Sequence, residues 1–133
     1  MPTCRPSAQE TLIFTAGQLP FEEGELRTTG KVGDAVCLES AKGAARLCAL
    51  NALAAAAAEA GGLNRIAGVV RVTGYVASAP RFNRQPEVID GASELIGQIF
   101  GDAELHVRSA VGVAELPLEA PVEVELVAEL GAS

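Results

Sequence analysis

The hydrophobic pattern in the first half of the chain predicts a strand, a weaker strand and a long helix. Residues 11–16 are apolar and β-branched and stop at a glycine, which is typical of a strand entering a turn. Residues 25–32 form a weaker candidate strand, because their threonines suit a half-exposed edge. Residues 40–60 carry Ala, Leu, Arg and Glu without Pro and end at a glycine pair. We therefore predict a helix there with a glycine cap.

The pattern in the second half of the chain predicts an interior strand, then a helix, then two further strands. Residues 67–77 are rich in valine on both faces, as in an interior strand. Residues 86–100 have apolar side chains at helical spacing. In residues 106–116 and again in residues 122–130, apolar and polar side chains alternate. A short link joins the two segments, so we expect a hairpin. The order β-β-α-β-α-β-β favours an α+β fold, a mixed sheet with two helices packed on one face.

Alternation divides the side chains of the last two predicted strands between two faces. In the first strand we expect Val107 and Val111 on the core side, with Arg108 on the opposite side. In the second strand the alternate valines and a leucine match the core side, which leaves Glu123 and Glu125 beside Arg108. We therefore expect these three charged residues on one exposed face.

Small residues separate the charges on that expected face, namely Ala110, Gly112 and Ala114. Side chains of this size leave room for a ligand or for another subunit to approach the sheet. A single subunit with helices on only one face would leave the other face in water, which favours a symmetric oligomer.

Arg108 is open to two interpretations at this point. It could form a cross-strand ion pair with Glu125 or Glu129, which contributes little when exposed. Alternatively, its planar guanidinium could bind a ligand carboxylate through two parallel hydrogen bonds, which lysine could not mimic. In that case Glu123 could hold or polarise a water molecule.

Length and charge restrict the class of protein. The 133 residues suit one domain over residues 1–133, with a short flexible segment at 1–10. The net charge of -7 and the thinly spread basic residues argue against a nucleic-acid partner. No run of 18 apolar residues predicts a membrane span, and the first residues lack the apolar stretch of a signal peptide. We expect a cytoplasmic protein.

The potential metal ligands are few. Cys4, Cys37 and Cys48 form an odd set without a CxxC pair, and His106 is the only histidine. This set indicates neither a disulfide framework nor a zinc site, and we expect reduced thiols. His106 could be a pH-sensitive ligand contact beside Arg108, or an exposed histidine at a strand end.

Four motifs carry a resemblance to a known family. They are AGQLP at residues 16–20, the spacing from Arg46 to Asn51, RSAVGVAELP at residues 108–117 and VEVE at residues 122–125. Together they resemble the reactive-intermediate deaminase family, also called Rid or YjgF and labelled endoribonuclease L-PSP. The resemblance implies a chorismate-mutase-like fold and a homotrimer whose sheets form a central barrel, with clefts between neighbouring subunits.

The resemblance also implies roles for individual residues. In deaminating members the arginine that matches Arg108 binds the carboxylate of a 2-aminoacrylate-type enamine or its imine, and water releases ammonia and a 2-keto acid. Glu123 matches the glutamate that activates this water, and the backbone carbonyl of Ala110 helps to place it. Gly17 lies in the loop that lines the cleft. Neither a cofactor nor a metal is implied.

The chain departs from the family pattern at three positions of the implied site. Ala110 stands where the family often has Cys, but that position acts through its backbone. Asp90 matches a position that is often Asn, and Ser93 replaces a common aromatic residue; both are candidate substrate-binding residues. A carboxylate at Asp90 would repel an anionic substrate or select one with an added amine.

The leading hypothesis is an enamine/imine deaminase, a hydrolase of the 2-iminobutanoate/2-iminopropanoate type that needs no cofactor. The alternative is a non-catalytic trimeric protein that binds a small carboxylate metabolite. Some family members have been described as endoribonucleases or translation inhibitors, but the acidic charge argues against RNA here. A chorismate-mutase-like activity is a fourth hypothesis, although one well-placed arginine is too few for a dicarboxylate.

Overall fold

The computed structural model of the protein describes residues 12–101 and 106–131. Within these residues a four-stranded sheet has the order β1-β6-β4-β5. The central strand β4 runs parallel to β5 and antiparallel to β6, and β1 is antiparallel to β6. The sheet is therefore mixed. Its strands are β1 (Leu12–Phe14), β4 (Ile66–Ala77), β5 (Val107–Val113) and β6 (Val122–Leu130).

A small second sheet is formed by the segment that follows β1 along the chain and precedes the first helix. It pairs β2 (Phe21–Glu22) with β3 (Glu25–Leu26). The predicted weaker strand over residues 25–32 is therefore shortened to β3, and Val32 only forms isolated bridges with Val36 and Ser78. The predicted flexible segment at residues 1–10 lies outside the described residues.

The two predicted helices are confirmed as α1 (Leu38–Ala60) and α2 (Gln85–Phe100). Helix α1 ends at Gly61, whose left-handed backbone (φ 94°) lets its N–H donate to the Ala57 carbonyl oxygen at 2.9 Å. One stripe of α1 consists of fully buried alanines, and small side chains allow close packing. The stripe comprises Ala41, Ala45, Ala49, Ala52 and Ala56.

Both helices pack on the same face of the sheet, and this arrangement defines a helix face and an open face. The buried side chains of the sheet join those of α1 and α2 in one core. Side chains of the helix face include Val72 and Val76 of β4 and Val122, Val124, Leu126 and Ala128 of β6. Side chains of the open face include Arg71, Thr73 and Tyr75 of β4 and Glu123, Glu125 and Val127 of β6. The predicted α+β, chorismate-mutase-like architecture is thus confirmed.

The predicted hairpin between the last two strands is wrong. Strand β4 lies between β5 and β6, so these two strands do not pair. The link between them crosses the end of β4, where the Ala77 N–H donates to the Pro121 carbonyl and the Ser78 N–H to the Val113 carbonyl, both at 2.9 Å. Alternation identifies a strand but not its partner, and a short link can pass over the end of a third strand.

The predicted faces of β5 are also inverted. Arg108 is in register with the buried Val72, so its side chain lies on the helix face. Val107 and Val111, which we expected in the core, are 58% and 43% exposed on the open face. The assignment for β6 is confirmed, because its valines and Leu126 are buried. Arg108 therefore does not lie beside Glu123 or Glu125.

Candidate functional site

Arg108 lies beneath α2 and is held there by two polar side chains. Its Nη1 donates to Asp90 Oδ1 at 2.8 Å and to Ser93 Oγ at 3.2 Å. Asp90 and Ser93 are three residues apart on α2, and this spacing places both on one side of the helix. The side chain of Arg108 is 26% exposed and that of Asp90 is 43% exposed. The pair is therefore partly shielded from water but still reachable.

His106 extends this arrangement, which we call the Arg108 cluster (Asp90, Ser93, His106 and Arg108). The Ser93 Oγ and the His106 Nε2 are 3.0 Å apart. The Ser93 oxygen accepts from Arg108, and its own hydrogen can be donated to Nε2 when that nitrogen carries no proton. His106 is half-buried, so it is not the exposed strand-end histidine that was one of the two expectations.

One edge of the Arg108 guanidinium makes no side-chain hydrogen bond among the described residues. Within residues 12–101 and 106–131, both of its side-chain hydrogen bonds come from Nη1. Nε and Nη2 form the other edge, and two parallel N–H groups on such an edge match the two oxygens of a carboxylate. The cluster therefore holds the arginine at one side and presents the other.

Ala110 lies two residues beyond Arg108, on the same face of β5. It is half-buried against the core and is in register with Gly74 of β4. A Cβ at Gly74 would collide with the Ile89 side chain of α2, so glycine there allows α2 to lie close to the sheet. Strand β5 is an edge of the sheet, and edge strands present unpaired backbone groups. The backbone near Ala110 is thus at an accessible edge.

Glu123 of β6 forms a second group with Gly17 of the loop after β1, which we call the Glu123 cluster (Gly17, Glu123, Glu125 and Tyr75). A Cβ at Gly17 would collide with the Glu123 carboxylate, so the carboxylate lies directly on the glycine backbone. Gln18 and Val124 exchange backbone hydrogen bonds of 2.8 and 3.1 Å. This pairing carries Gly17 alongside β6 and explains the contact.

Asn51 of α1 holds the loop that follows Gly17. Its Nδ2 donates to the carbonyl oxygens of Leu19 and Phe21, each at 3.0 Å. The sequence motif had pointed to Asn51 only through its spacing from Arg46, whose side chain is exposed. The structure gives Asn51 a role in positioning the loop.

The surroundings of Glu123 alter its acidity. Burial raises the pKa of Glu123 above its ordinary value, and the negative charge of Glu125 raises it further. The Tyr75 hydroxyl donates to Glu125 Oε1 at 3.2 Å, and burial together with Glu125 raises the pKa of Tyr75. A carboxylate that accepts a proton more readily than usual is suited to general-base chemistry.

Sequence reasoning missed Tyr75, the only tyrosine of the chain. It lies in register with Glu123 on the open face. Its polar hydroxyl in an otherwise valine-rich strand, two residues beyond Thr73, was the available signal, because residues two apart share a face.

The predicted site residues fall into two separate groups within one chain. Arg108, Asp90 and Ser93 meet on the helix face, whereas Glu123 and Gly17 meet on the open face. Arg108 is in register with Val72 on one side of β4, and Glu123 with Tyr75 on the other. Val72 and Tyr75 are three residues apart along β4, a distance of about 10 Å. Strands β5 and β6 are two strand spacings apart, which adds about 10 Å across the sheet. A ligand of three or four carbons cannot contact both groups in one chain.

The described part of the chain offers neither a metal-binding group nor a helix that could cross a membrane. Among residues 12–101 and 106–131 no group of three or more His, Cys, Asp or Glu side chains is placed to hold a metal ion. In the same residues neither helix is both long and apolar enough to cross a membrane.

Comparisons with known proteins identify the family. Residues 6–130 match the model of the family described as "YjgF/chorismate mutase-like, putative endoribonuclease". Protein TCP17 from Trypanosoma cruzi is 40% identical over 119 residues, which cover 89% of this chain and 74% of that protein. The chain therefore belongs to the YjgF/Rid family, as its motifs predicted.

Among the solved structures that are similar to this chain, two illustrate the likeness. Atu1372 from Agrobacterium tumefaciens, a protein of unknown function, is 45% identical with a TM-score of 0.86, covering 91% of this chain and 77% of that one. A putative endoribonuclease from Shewanella oneidensis is 33% identical with a TM-score of 0.85, covering 90% of this chain and 80% of that one. These relatives support the fold and leave the reaction to be argued from the site.

Proposed function

We propose that the protein hydrolyses small 2-imino acids to 2-keto acids and ammonia, with Arg108 as the group that binds the substrate carboxylate. The observation that carries this proposal is the geometry of Arg108. Its Nη1 is bonded to Asp90 and Ser93, and its Nε and Nη2 edge is left for a ligand. A guanidinium held at one edge binds a carboxylate at the other with little loss of side-chain freedom.

Glu123 supplies the proposed base. Water attacks the carbon of the protonated C=N bond, and its proton passes to the Glu123 carboxylate as the C–O bond forms. Glu123 returns this proton to the nitrogen of the carbinolamine. As the C–N bond breaks, the remaining hydroxyl proton passes to the Glu123 carboxylate, which leaves the 2-keto acid and ammonia. Ammonia then takes that proton and departs as ammonium, which restores the Glu123 carboxylate. The raised pKa of Glu123, caused by burial and by Glu125, supports this exchange. Gly17 lines this side of the site, and the Ala110 backbone helps to place the water.

The separation of Arg108 from Glu123 supports a site built by two subunits. Because they lie on opposite faces of one sheet, Arg108 of one subunit would meet Glu123 of its neighbour. A homotrimer with clefts between subunits provides this arrangement. The open face also carries exposed apolar side chains that contact between subunits would cover. They are Leu12 (44%), Phe14 (73%), Val107 (58%) and Val111 (43%).

The test is turnover of an imine made in solution. A serine-consuming, pyridoxal-dependent dehydratase generates 2-aminoacrylate, and pyruvate formation is followed with this protein at matched concentrations. Wild type is expected to accelerate the reaction, whereas Arg108→Ala is not. Arg108→Lys is also expected to fail, because lysine keeps the charge without the two parallel donors. The control Arg65→Ala removes an exposed arginine and is expected to retain full activity.

A non-catalytic carboxylate-binding protein is the second candidate. It is favoured by one observation, namely that the Arg108 cluster is complete without Glu123. Stoichiometric binding of small carboxylates, with no acceleration for any 2-imino acid offered, would establish it and end the deaminase proposal.

RNA cleavage is a third activity to measure, because the family description and the Shewanella relative name an endoribonuclease. The net charge of -7 opposes binding to phosphates. We expect no cleavage of single-stranded RNA that depends on Arg108 or Glu123.

A further inference from the structure

We infer that Asp90 makes the Arg108 site selective for zwitterions, that is, for ligands with a carboxylate and a cationic nitrogen on adjacent carbon atoms. The inference rests on the proposed function, since it takes Arg108 as the carboxylate-binding group. It assigns Asp90 as the residue that selects the protonated form of the 2-imino acids already proposed.

The geometry places a positive and a negative group side by side. Asp90 Oδ1 accepts from Arg108 Nη1 at 2.8 Å, and this is the only side-chain hydrogen bond of Asp90 among the described residues. The Asp90 side chain is 43% exposed. Its second oxygen makes no hydrogen bond among the described residues and is therefore available to accept from the N–H of a ligand that Arg108 binds.

The charges of Arg108 and Asp90 favour a ligand that carries one negative and one positive group. Arg108 and Asp90 together carry no net charge, so a plain carboxylate gains from Arg108 but is repelled by Asp90. A zwitterion gains from both, because its cationic nitrogen lies one carbon away from its carboxylate. At separations of about 4 Å each such interaction is appreciable in a partly shielded site.

The protonated imine of a 2-imino acid has this form. Its nitrogen carries a positive charge on the carbon next to the carboxylate, and the protonated C=N bond is the form that water attacks most readily. A carboxylate beside that nitrogen favours the charged form over the neutral one. Asp90 would therefore contact the substrate, select its reactive protonation state and discriminate against the neutral enamine.

The experiment compares two stable ligands with the same carbon skeleton, L-alanine and L-lactate. Each is titrated into the full chain, and binding is followed by the NMR signal of the Arg108 Nε–H group. Wild type is expected to bind alanine about tenfold more tightly than lactate, the scale of one hydrogen bond between charged groups. Asp90→Asn is expected to remove most of this preference, because binding of lactate improves and binding of alanine weakens.

The control is Glu94→Gln, which removes a negative charge from the same helix. Glu94 is 60% exposed and pairs with Lys42 at 3.7 Å, whereas the side-chain partners of Arg108 among the described residues are Asp90 and Ser93. This variant is expected to keep the wild-type ratio of the two dissociation constants. Equal or tighter binding of lactate by wild type, an unchanged ratio in Asp90→Asn, or binding of neither ligand would overturn the inference.

Failure of this inference can be told apart from failure of the proposed function. Acceleration of imine decay without a preference for alanine leaves the deaminase standing and removes the role of Asp90. A preference for alanine that Asp90→Asn abolishes, with no turnover of any imine, supports the zwitterion site in a protein that only binds.

Discussion

The Arg108 cluster and the Glu123 cluster lie at the same sheet but differ in how their charges are compensated. Arg108 is bonded to a carboxylate at 2.8 Å and to a serine hydroxyl. The Glu123 carboxylate has no side-chain hydrogen bond among the described residues, lies against the Gly17 backbone, and has a pKa raised by burial. A cation held at one edge is suited to binding, and a poorly compensated carboxylate is suited to accepting a proton. We therefore expect the two groups to affect different kinetic constants.

The largest effect that separates the two clusters is expected for Glu123→Gln. Loss of a general base should lower kcat by roughly a hundred- to ten-thousand-fold. The dissociation constant for a carboxylate ligand should stay close to that of wild type, because Arg108 is untouched. Steady-state kinetics and a ligand titration measure the two constants.

The matched control for this variant is Glu129→Gln, an exposed glutamate on the same strand. It is expected to leave kcat unchanged. If Glu123→Gln instead weakened ligand binding and spared kcat, the assignment of binding to one cluster and proton transfer to the other would be wrong.

A smaller effect is expected for Gly17→Ala. The added Cβ meets the end of the flexible Glu123 side chain, so the carboxylate should move while the fold remains. Displacement of a catalytic group by about 1 Å can cost about a hundredfold in kcat. The free energy of unfolding in urea should change by less than about 1 kcal/mol, since the displaced atoms lie in a mobile side-chain end.

Gly97→Ala is the control for Gly17→Ala, because a Cβ at this helical glycine meets nothing within 4 Å. It should raise stability by up to about 1 kcal/mol through helix propensity and leave kcat as it is. Full activity in Gly17→Ala would contradict the placement of Glu123 against the loop.

The smallest effect concerns pH. The proposed base must be ionised, so kcat should fall as the pH is lowered through the raised pKa of Glu123. Burial is the main cause of that raised pKa and the charge of Glu125 adds to it. Glu125→Gln removes the added repulsion, which favours ionisation of Glu123 and should move the acid limb of the pH profile to lower pH. A shift to higher pH, measured with ligand saturating, would contradict this electrostatic account.

Local patterns were sufficient for the elements of the fold. Helix α1 was predictable because residues 40–60 lack proline and end at Gly61, and the structure only begins it earlier, at Leu38. Strand β4 was predictable because residues 67–77 are rich in valine, a β-branched residue that favours strands. Each of these signals lies within the element itself, so no knowledge of its neighbours was needed.

The pairing of strands and the faces of β5 were not predictable in this way. Alternation places Val107 and Arg108 on different faces but does not say which face α2 will cover. The helix covers the face of Arg108, since Asp90 and Ser93 bind it there. That outcome depends on packing between segments that are distant along the chain.

The candidate site was predicted as a set of residues and not as an arrangement. Arg108, Asp90 and Ser93 came from the family motif, and the structure brings them together. Alternation in the expected hairpin suggested Glu123 beside Arg108, and the register of β4 with its two neighbours separates them. This separation within one chain agrees with the proposed site between subunits, an arrangement that the family resemblance had implied.

The most direct test of that claim is complementation between two inactive variants. Arg108→Ala and Glu123→Gln are co-expressed at equal levels with different tags, and the mixed oligomers are isolated and assayed for imine hydrolysis. If each site takes Arg108 from one subunit and Glu123 from its neighbour, every mixed trimer should contain one restored site, so activity should be roughly a third of the wild-type value. Activity no higher than that of the two separately purified variants would show that the residues do not act together across a subunit boundary, and it would contradict the account.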